Sequence, residues 1–193
     1  MPVPRLIQAG LWQWIKGVGL ERFELLRKQH EWMLRGTIIV LAEGGPAEAK
    51  YEVVCDESWL TRSADISLRN GSGDRVLRVE VQSGRWRESG LVNERVAGCT
   101  DIDLEWSPST NTIPIRRLSL SVGEKSGLVT AAWVRFPDLT LQPLPQEYER
   151  ISERCYRYTS PVDAFVTEIA VDEEGLAINY EGFWQRPSRK PNG

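Results

Sequence analysis

The sequence predicts a mainly β fold: a large antiparallel meander sheet that curls, with a single short α-helix set into its middle. Three observations point there. Runs of β-branched and aromatic residues alternate with polar ones along most of the chain, the period of a strand with one buried face. Turn-forming clusters, Glu43-Gly44-Gly45-Pro46, Asn70-Gly71-Ser72-Gly73 and Asp172-Glu173-Glu174-Gly175, separate such runs at hairpin spacing. Helix-start signals gather in the middle of the chain, at Thr110-Asn111-Thr112-Ile113-Pro114. A meander of this length must curl or close, because a long open edge invites pairing with other chains.

Taken in order, Leu11-Trp12-Gln13-Trp14-Ile15 reads as a first strand. Phe23, Leu25 and Leu26 then fall among Glu21, Arg22, Glu24, Arg27 and Lys28, a spacing that fits one or two helical turns or a packed loop. Trp32 to Leu41 is β-branched and ends at the first turn; Glu48 to Asp56 returns beside it with Tyr51, Val53 and Cys55 on one face. Ser58 to Arg69 puts Leu60, Arg62, Ala64, Ile66 and Leu68 on one side. Arg62 thereby falls on an apolar face, where it needs an anionic partner or must bend past the sheet edge to water. Val76 to Val81 follows the second turn, and residues 84–96 form another hairpin with Trp86 among charged neighbours. That ring suits either stacking on a sugar or packing across a strand pair.

Beyond the helix, Leu118-Ser119-Leu120-Ser121-Val122 alternates as a strand would, which keeps the helix short. Gly123 to Gly127 turns the chain into a strand over Leu128 to Phe136. Leu139 and Leu141 alternate again before Pro143 and Pro145, which favour an edge or a crossover over a central strand. Tyr148, Tyr156 and Tyr158 interleave with Arg150, Arg154 and Arg157, as on a solvated strand face or a surface for a head group or second subunit. Phe165 to Val171 and Leu176 to Tyr180 flank the last turn, Phe183-Trp184 finishes the core or a dimer seam, and residues 187–193 read as a frayed tail. With no linker or low-complexity tract, residues 1–193 read as one domain.

The chemistry concentrates between Gly98 and Leu118. In a strand, Asp101, Asp103 and Glu105 share one face while Ile102, Leu104 and Trp106 share the other. Same-face neighbours lie about 7 Å apart, close enough for carboxylates to raise one another's pKa unless cations intervene. Such acids either stand in water or line a concave polar pocket, with Arg62, Arg116 or Arg117 as counter-charges. Asn111 or Thr110 can cap the helix, Pro114 is tolerated in its first turn, and Ile113, Ile115 and Leu118 give it an apolar side flanked by Arg116 and Arg117.

Composition removes several function classes. A net charge of −3 gives no electrostatic case for nucleic acid. Hydrophobic content of 41% with eight Trp supports a full core. Cys55, Cys99 and Cys155 are odd in number and far apart, so they read as buried thiols in a reducing compartment. One histidine, His30, excludes a histidine-rich zinc site, and no cofactor or metal motif is present. No secretory start and no run of about 18–20 apolar residues is found; a cytoplasmic protein without a transmembrane segment is expected.

Two segments, Gly98-Cys99-Thr100-Asp101-Ile102-Asp103-Leu104 and Thr110-Asn111-Thr112-Ile113-Pro114-Ile115-Arg116-Arg117-Leu118, resemble the signature of the bacterial putative glycolipid-binding family, first catalogued as a domain of unknown function. The likeness continues through Tyr51 to Asp56, Trp59 to Arg62, Trp133 to Leu139, Tyr156 to Tyr158, Val171 to Leu176 and Tyr180 to Trp184, covering about Trp12 to Trp184. It implies a large antiparallel sheet wrapped around a single helix, a homodimer, an acidic pocket and a remote likeness to lipoprotein localisation factors.

The expected function is therefore non-catalytic binding of a glycolipid or another sugar-containing amphiphile, in glycolipid metabolism. Asp101 and Asp103 would accept hydrogen bonds from sugar hydroxyls, Arg62 would pair with them, Arg116 and Arg117 would hold them ionised or bind phosphate, Trp86 would stack, and Asn111 would line the site. Two rivals stand beside it: a carbohydrate-active hydrolase using paired carboxylates, and a dimeric interaction module with an incidental pocket.

Overall fold

The computed structural model describes residues 3–162 and 164–187, so most of the expected tail, 188–193, lies outside the described residues. One sheet of fifteen strands runs through the chain. Its first half is a meander of eight strands: β1 (Arg5–Trp14), β2 (Gly19–Lys28), β3 (Glu31–Ala42), β4 (Gly45–Cys55), β5 (Thr61–Asn70), β6 (Gly73–Gln82), β7 (Arg85–Glu88) and β8 (Leu91–Val92). Then come β9 (Asp101–Leu104), the helix α1 (Thr112–Leu118) and six more strands: β10 (Lys125–Arg135), β11 (Thr140–Ser152), β12 (Cys155–Ser160), β13 (Phe165–Val171), β14 (Ala177–Tyr180) and β15 (Trp184–Gln185).

In space the order is β8 to β1, then β15 down to β9. Each strand lies beside its sequence neighbour with one exception: β8 and β9, joined by residues 93–100, form the two opposite edges. Laid flat, fifteen strands would span about 65–70 Å, whereas the connection reaches about 30 Å at full extension. The short connection obliges the sheet to curl. Rolled inward, β9 lies over β5, where the Ile102 N–H donates to Thr61 Oγ1 at 3.1 Å. The other seam is closed by β1, whose Gln13 and Trp14 pair with Gln185 and Trp184 of β15. Trp12, fully buried and stacked on Phe23 at 3.7 Å, donates its Nε1–H to the Ala177 carbonyl.

Inside the curl sits α1, with Ile113 and Ile115 buried in the same core as Leu34, Val53, Ile66, Leu104 and Val134. It starts differently from expectation. A 3-10 turn over Ser109–Asn111 leads straight into it, Asn111 already has helical torsions, and its side chain makes no capping bond. Pro114 stands in the first turn, and Ser119, in the left-handed region at φ 48°, stops the helix.

Several expectations are corrected by these pairings. The Phe23–Leu26 segment is strand β2, since its whole length pairs with both β1 and β3. Its clustered apolar residues face a core that two neighbouring strands complete. No strand forms over 118–122, because α1 ends at Leu118 and the chain turns at once towards β10. The sheet carries one parallel pair, β9 with β10. Pro143 and Pro145 lie inside β11, opposite Ala132 and Thr130, and β12 joins β11 only from Glu147 onward. At the prolines β11 has a single hydrogen-bonded neighbour, so the missing N–H groups break no ladder. Tyr148, Tyr156 and Tyr158, which could have formed a solvated face, are buried.

Candidate functional site

Strand β9 positions the acids. Ile102 and Leu104 are buried in the core, which sends Asp101 and Asp103 together to the opposite face, as the alternation requires. In the parallel pairing with β10, Asp101 stands beside Ala131 and Asp103 beside Trp133. The two carboxylates then meet different fates.

Asp101 is 1% exposed and locked. Arg117, on the C-terminal half of α1, grips it in a bidentate fork, Nε to Oδ1 at 2.7 Å and Nη2 to Oδ2 at 2.6 Å, while the Thr100 hydroxyl donates to Oδ2 at 3.1 Å. A planar guanidinium suits this geometry. The pair ties the helix to the sheet edge.

Asp103 opens instead on a cavity of about 250 Å³. Its Oδ2 accepts from the Gln146 Nε2–H at 2.6 Å. Burial pushes its carboxyl up to about 6; the Gln146 hydrogen bond opposes that rise, and the charges of Glu105 and Asp101 add to it. Glu105, two residues along, accepts from the Phe136 N–H at 2.7 Å and forms an ion pair with Arg135 at 3.2 Å.

The cavity is lined by polar Asp103, Glu105, Ser107, Asn111 and Ser160 and by aromatic Trp133, Tyr158, Phe165, Tyr180, Phe183 and Trp184. Asn111 is held there by the Tyr148 hydroxyl, which donates to its Oδ1 at 3.0 Å. Ser107 links the cavity wall to a buried carboxyl behind it. Its hydroxyl donates to Glu21 Oε1 at 2.8 Å and receives the Ser109 hydroxyl at 2.7 Å, while Tyr51 donates to the same Glu21 oxygen at 2.5 Å. Burial pushes the Glu21 carboxyl up to about 8 against the pull of those two hydrogen bonds. Glu21 Oε2 has no hydrogen-bond partner. A second cleft, of about 220 Å³ and lined by Trp14, Lys16, Val40 and Trp106, shares Glu105, Phe183 and Trp184 with the first.

Of the residues expected at the site, the structure brings Asp103 and Asn111 to the cavity, with Asp101 and Arg117 forming its neighbouring clamp. Three others go elsewhere. Arg62 is exposed and pairs with Asp56 at 2.5 Å, because Cys55 pairs with Thr61 while Val54 pairs with Ser63. That irregularity leaves Arg62 out of register and turns it away from the core; Thr61 takes the inward place and holds β9. Trp86 is 1% exposed and donates to the Cys99 carbonyl at 2.8 Å, so no ring face is open to a sugar. Arg116 lies over Trp59 at 5.7 Å and donates to the Glu173 carbonyl at 3.3 Å, outside the Asp103 cavity.

The aromatic wall, Ser107, Gln146 and the buried Glu21 were not singled out as site residues from sequence. A signal for the wall existed: Trp133, Tyr158, Tyr180, Phe183 and Trp184 all belong to segments that carry the family likeness, and the fold brings those distant segments to one cavity. Gln146 and Glu21 gave none, since each becomes chemical only through burial. Among the described residues no cluster of three or more His, Cys, Asp or Glu could hold a metal ion, and no helix is long and apolar enough to cross a membrane.

No curated protein matches this chain. A solved structure, that of a DUF1089 family protein from Pseudomonas aeruginosa, is 30% identical and similar in fold with a TM-score of 0.80, over 88% of this chain and 92% of that one. The family model described as putative glycolipid-binding matches residues 10–186, so that the chain belongs to that family.

Proposed function

We propose that this protein binds a glycolipid, or a similar sugar-bearing amphiphile, by seating the head group in the Asp103 cavity. The observation that carries this is the cavity's mixed polar and aromatic lining. The polar side chains of Asp103, Asn111 and Ser160 line it together with aromatic rings that can pack on the C–H face of a sugar. The adjoining cleft that shares Phe183 and Trp184 offers the first part of an acyl chain a largely apolar path. The family's description as putative glycolipid-binding supports the same class of ligand.

A two-carboxylate hydrolase has less support. It needs one acid and one base free to flank the scissile bond, but Asp101 is locked in its guanidinium fork and Glu105 is held by Arg135 and a backbone N–H. Native mass spectrometry of protein purified under mild extraction tests the binding reading. A co-purifying lipid mass that is lost in Trp184→Ala supports it; an empty protein from several hosts, together with no uptake of added glycolipid, refutes it. The same spectra read the homodimer that the family likeness implies.

A further inference from the structure

The carboxylates around the cavity are not equally balanced. Asp101 is neutralised by Arg117 and Glu105 by Arg135. Asp103 receives one neutral amide hydrogen bond, and among the described residues no Lys or Arg lies within 4.0 Å of it. It is sheltered, it faces the cavity, and its charged neighbours Asp101 and Glu105 repel it. A sheltered carboxylate of this kind is costly unless a cation joins it. None of the described residues supplies that cation.

The rings around it are suited to one. Tyr158, Phe165, Phe183 and Tyr180 form a closed circuit, with successive centroids 5.9, 5.2, 5.4 and 6.3 Å apart and mostly edge-on contacts. Aromatic faces attract ammonium and guanidinium groups through the ring quadrupole. Two rings of this wall already do so for the chain's own cations: Lys16 Nζ stands 3.7 Å from the Phe183 centroid, and the Arg135 guanidinium 4.1 Å from that of Trp133. Tyr180 is close enough to Asp103 for the aspartate charge to help burial hold its phenol above the ordinary range. A cavity of about 250 Å³ equals the volume of about eight waters, room for one sugar-sized head.

We propose that the head group bound here carries a protonated amine, seated on Asp103 against the aromatic wall, and that this amine is what separates the true ligand from a hydroxyl-only sugar. The proposal rests on the glycolipid reading above and sharpens it. A hydroxyl can donate one hydrogen bond to Asp103, yet it leaves the charge uncompensated. An ammonium donates the same bond and cancels the charge, and a hydrogen bond between two ions is roughly twice as strong as a neutral one. The added cation also meets ring faces that a hydroxyl does not use.

Isothermal titration at pH 7 with three matched amphiphiles tests it: octyl β-D-glucosaminide, octyl β-D-glucopyranoside and the N-acetylated glucosaminide. The free amine is expected to bind at least tenfold more tightly than either neutral compound, equivalent to about 1.4 kcal/mol. Asp103→Asn should abolish that preference, so that the variant binds the glucosaminide no more tightly than the glucopyranoside. Equal affinity of all three for the unaltered protein overturns the amine and leaves the glycolipid reading standing. Octylamine is the fourth probe. If it matches the glucosaminide, the amine site holds and the sugar reading falls; if none of the four binds, both fall.

Discussion

Glu21 is the most informative single residue to alter. It is fully buried, its Oε1 accepts from Tyr51 and Ser107, and its Oε2 has no partner. Its pKa of about 8 in the fold compares with 4.5 for an ordinary glutamate. The unfolded chain therefore releases this proton from about pH 4.5 upward, while the folded protein keeps it until about pH 8. Between those values the unfolded state binds fewer protons, so stability falls as pH rises, and the loss is complete above the folded pKa. At about 1.36 kcal/mol per pH unit the loss amounts to about 5 kcal/mol.

Glu21→Gln removes this titration. Its carbonyl can keep both accepted hydrogen bonds, while its amide group replaces an oxygen that already lacks a partner. That cost, about 1–3 kcal/mol, does not depend on pH. The variant should accordingly be less stable than the parent at pH 4 and more stable at pH 9. Urea unfolding of both proteins at half-unit steps, compared as a difference at each pH, cancels the titration of every other group. A difference that stays flat from pH 4 to 9 would refute the buried, protonated carboxyl.

Three further outcomes follow from named contacts. Arg117→Met strands the buried Asp101 charge and should cost about 3–5 kcal/mol in denaturant unfolding, whereas Arg62→Met, whose side chain is 46% exposed in its pair with Asp56, should cost less than about 1 kcal/mol. Trp86→Ala empties a fully buried site and should lower stability by about 3–5 kcal/mol; if it keeps its fold, its affinity for octyl glucosaminide should match the parent's in titration. Lengthening the alkyl chain of a glycoside should tighten binding by about 0.8 kcal/mol per methylene, about fourfold each, until the cleft of about 220 Å³ beside Phe183 is full. An affinity independent of chain length would remove that cleft as the tail's path.

Most of the strand plan was legible in the sequence, because the signals involved are local. The turns at Gly44-Gly45 and Gly71 to Gly73, and the alternation of Phe165 to Val171, specify hairpins within a few residues. The same holds for the shared face of Asp101 and Asp103, which follows from the strand period, and for the short helix with Pro114 in its first turn. What resisted reading depends on partners far away in the chain. Strand β2 was ambiguous because its apolar cluster makes sense only between β1 and β3. Arg62 was expected inward because an irregular pairing with β4 cannot be seen in the parity of one strand.

The site divides along the same line. By itself the sequence determined the residue types at hand, the paired acids of β9 and the basic flank of α1, because periodicity is written in nearest neighbours. Only the tertiary structure decided that Arg117 takes Asp101, that no described residue brings a cation to Asp103, and that rings from β10, β12, β13, β14 and the turn into β15 gather round it. That choice belongs to the curl of the sheet. The eight-residue connection between opposite edges brings β9 and α1 into the hollow, and burial there separates two chemically identical carboxylates.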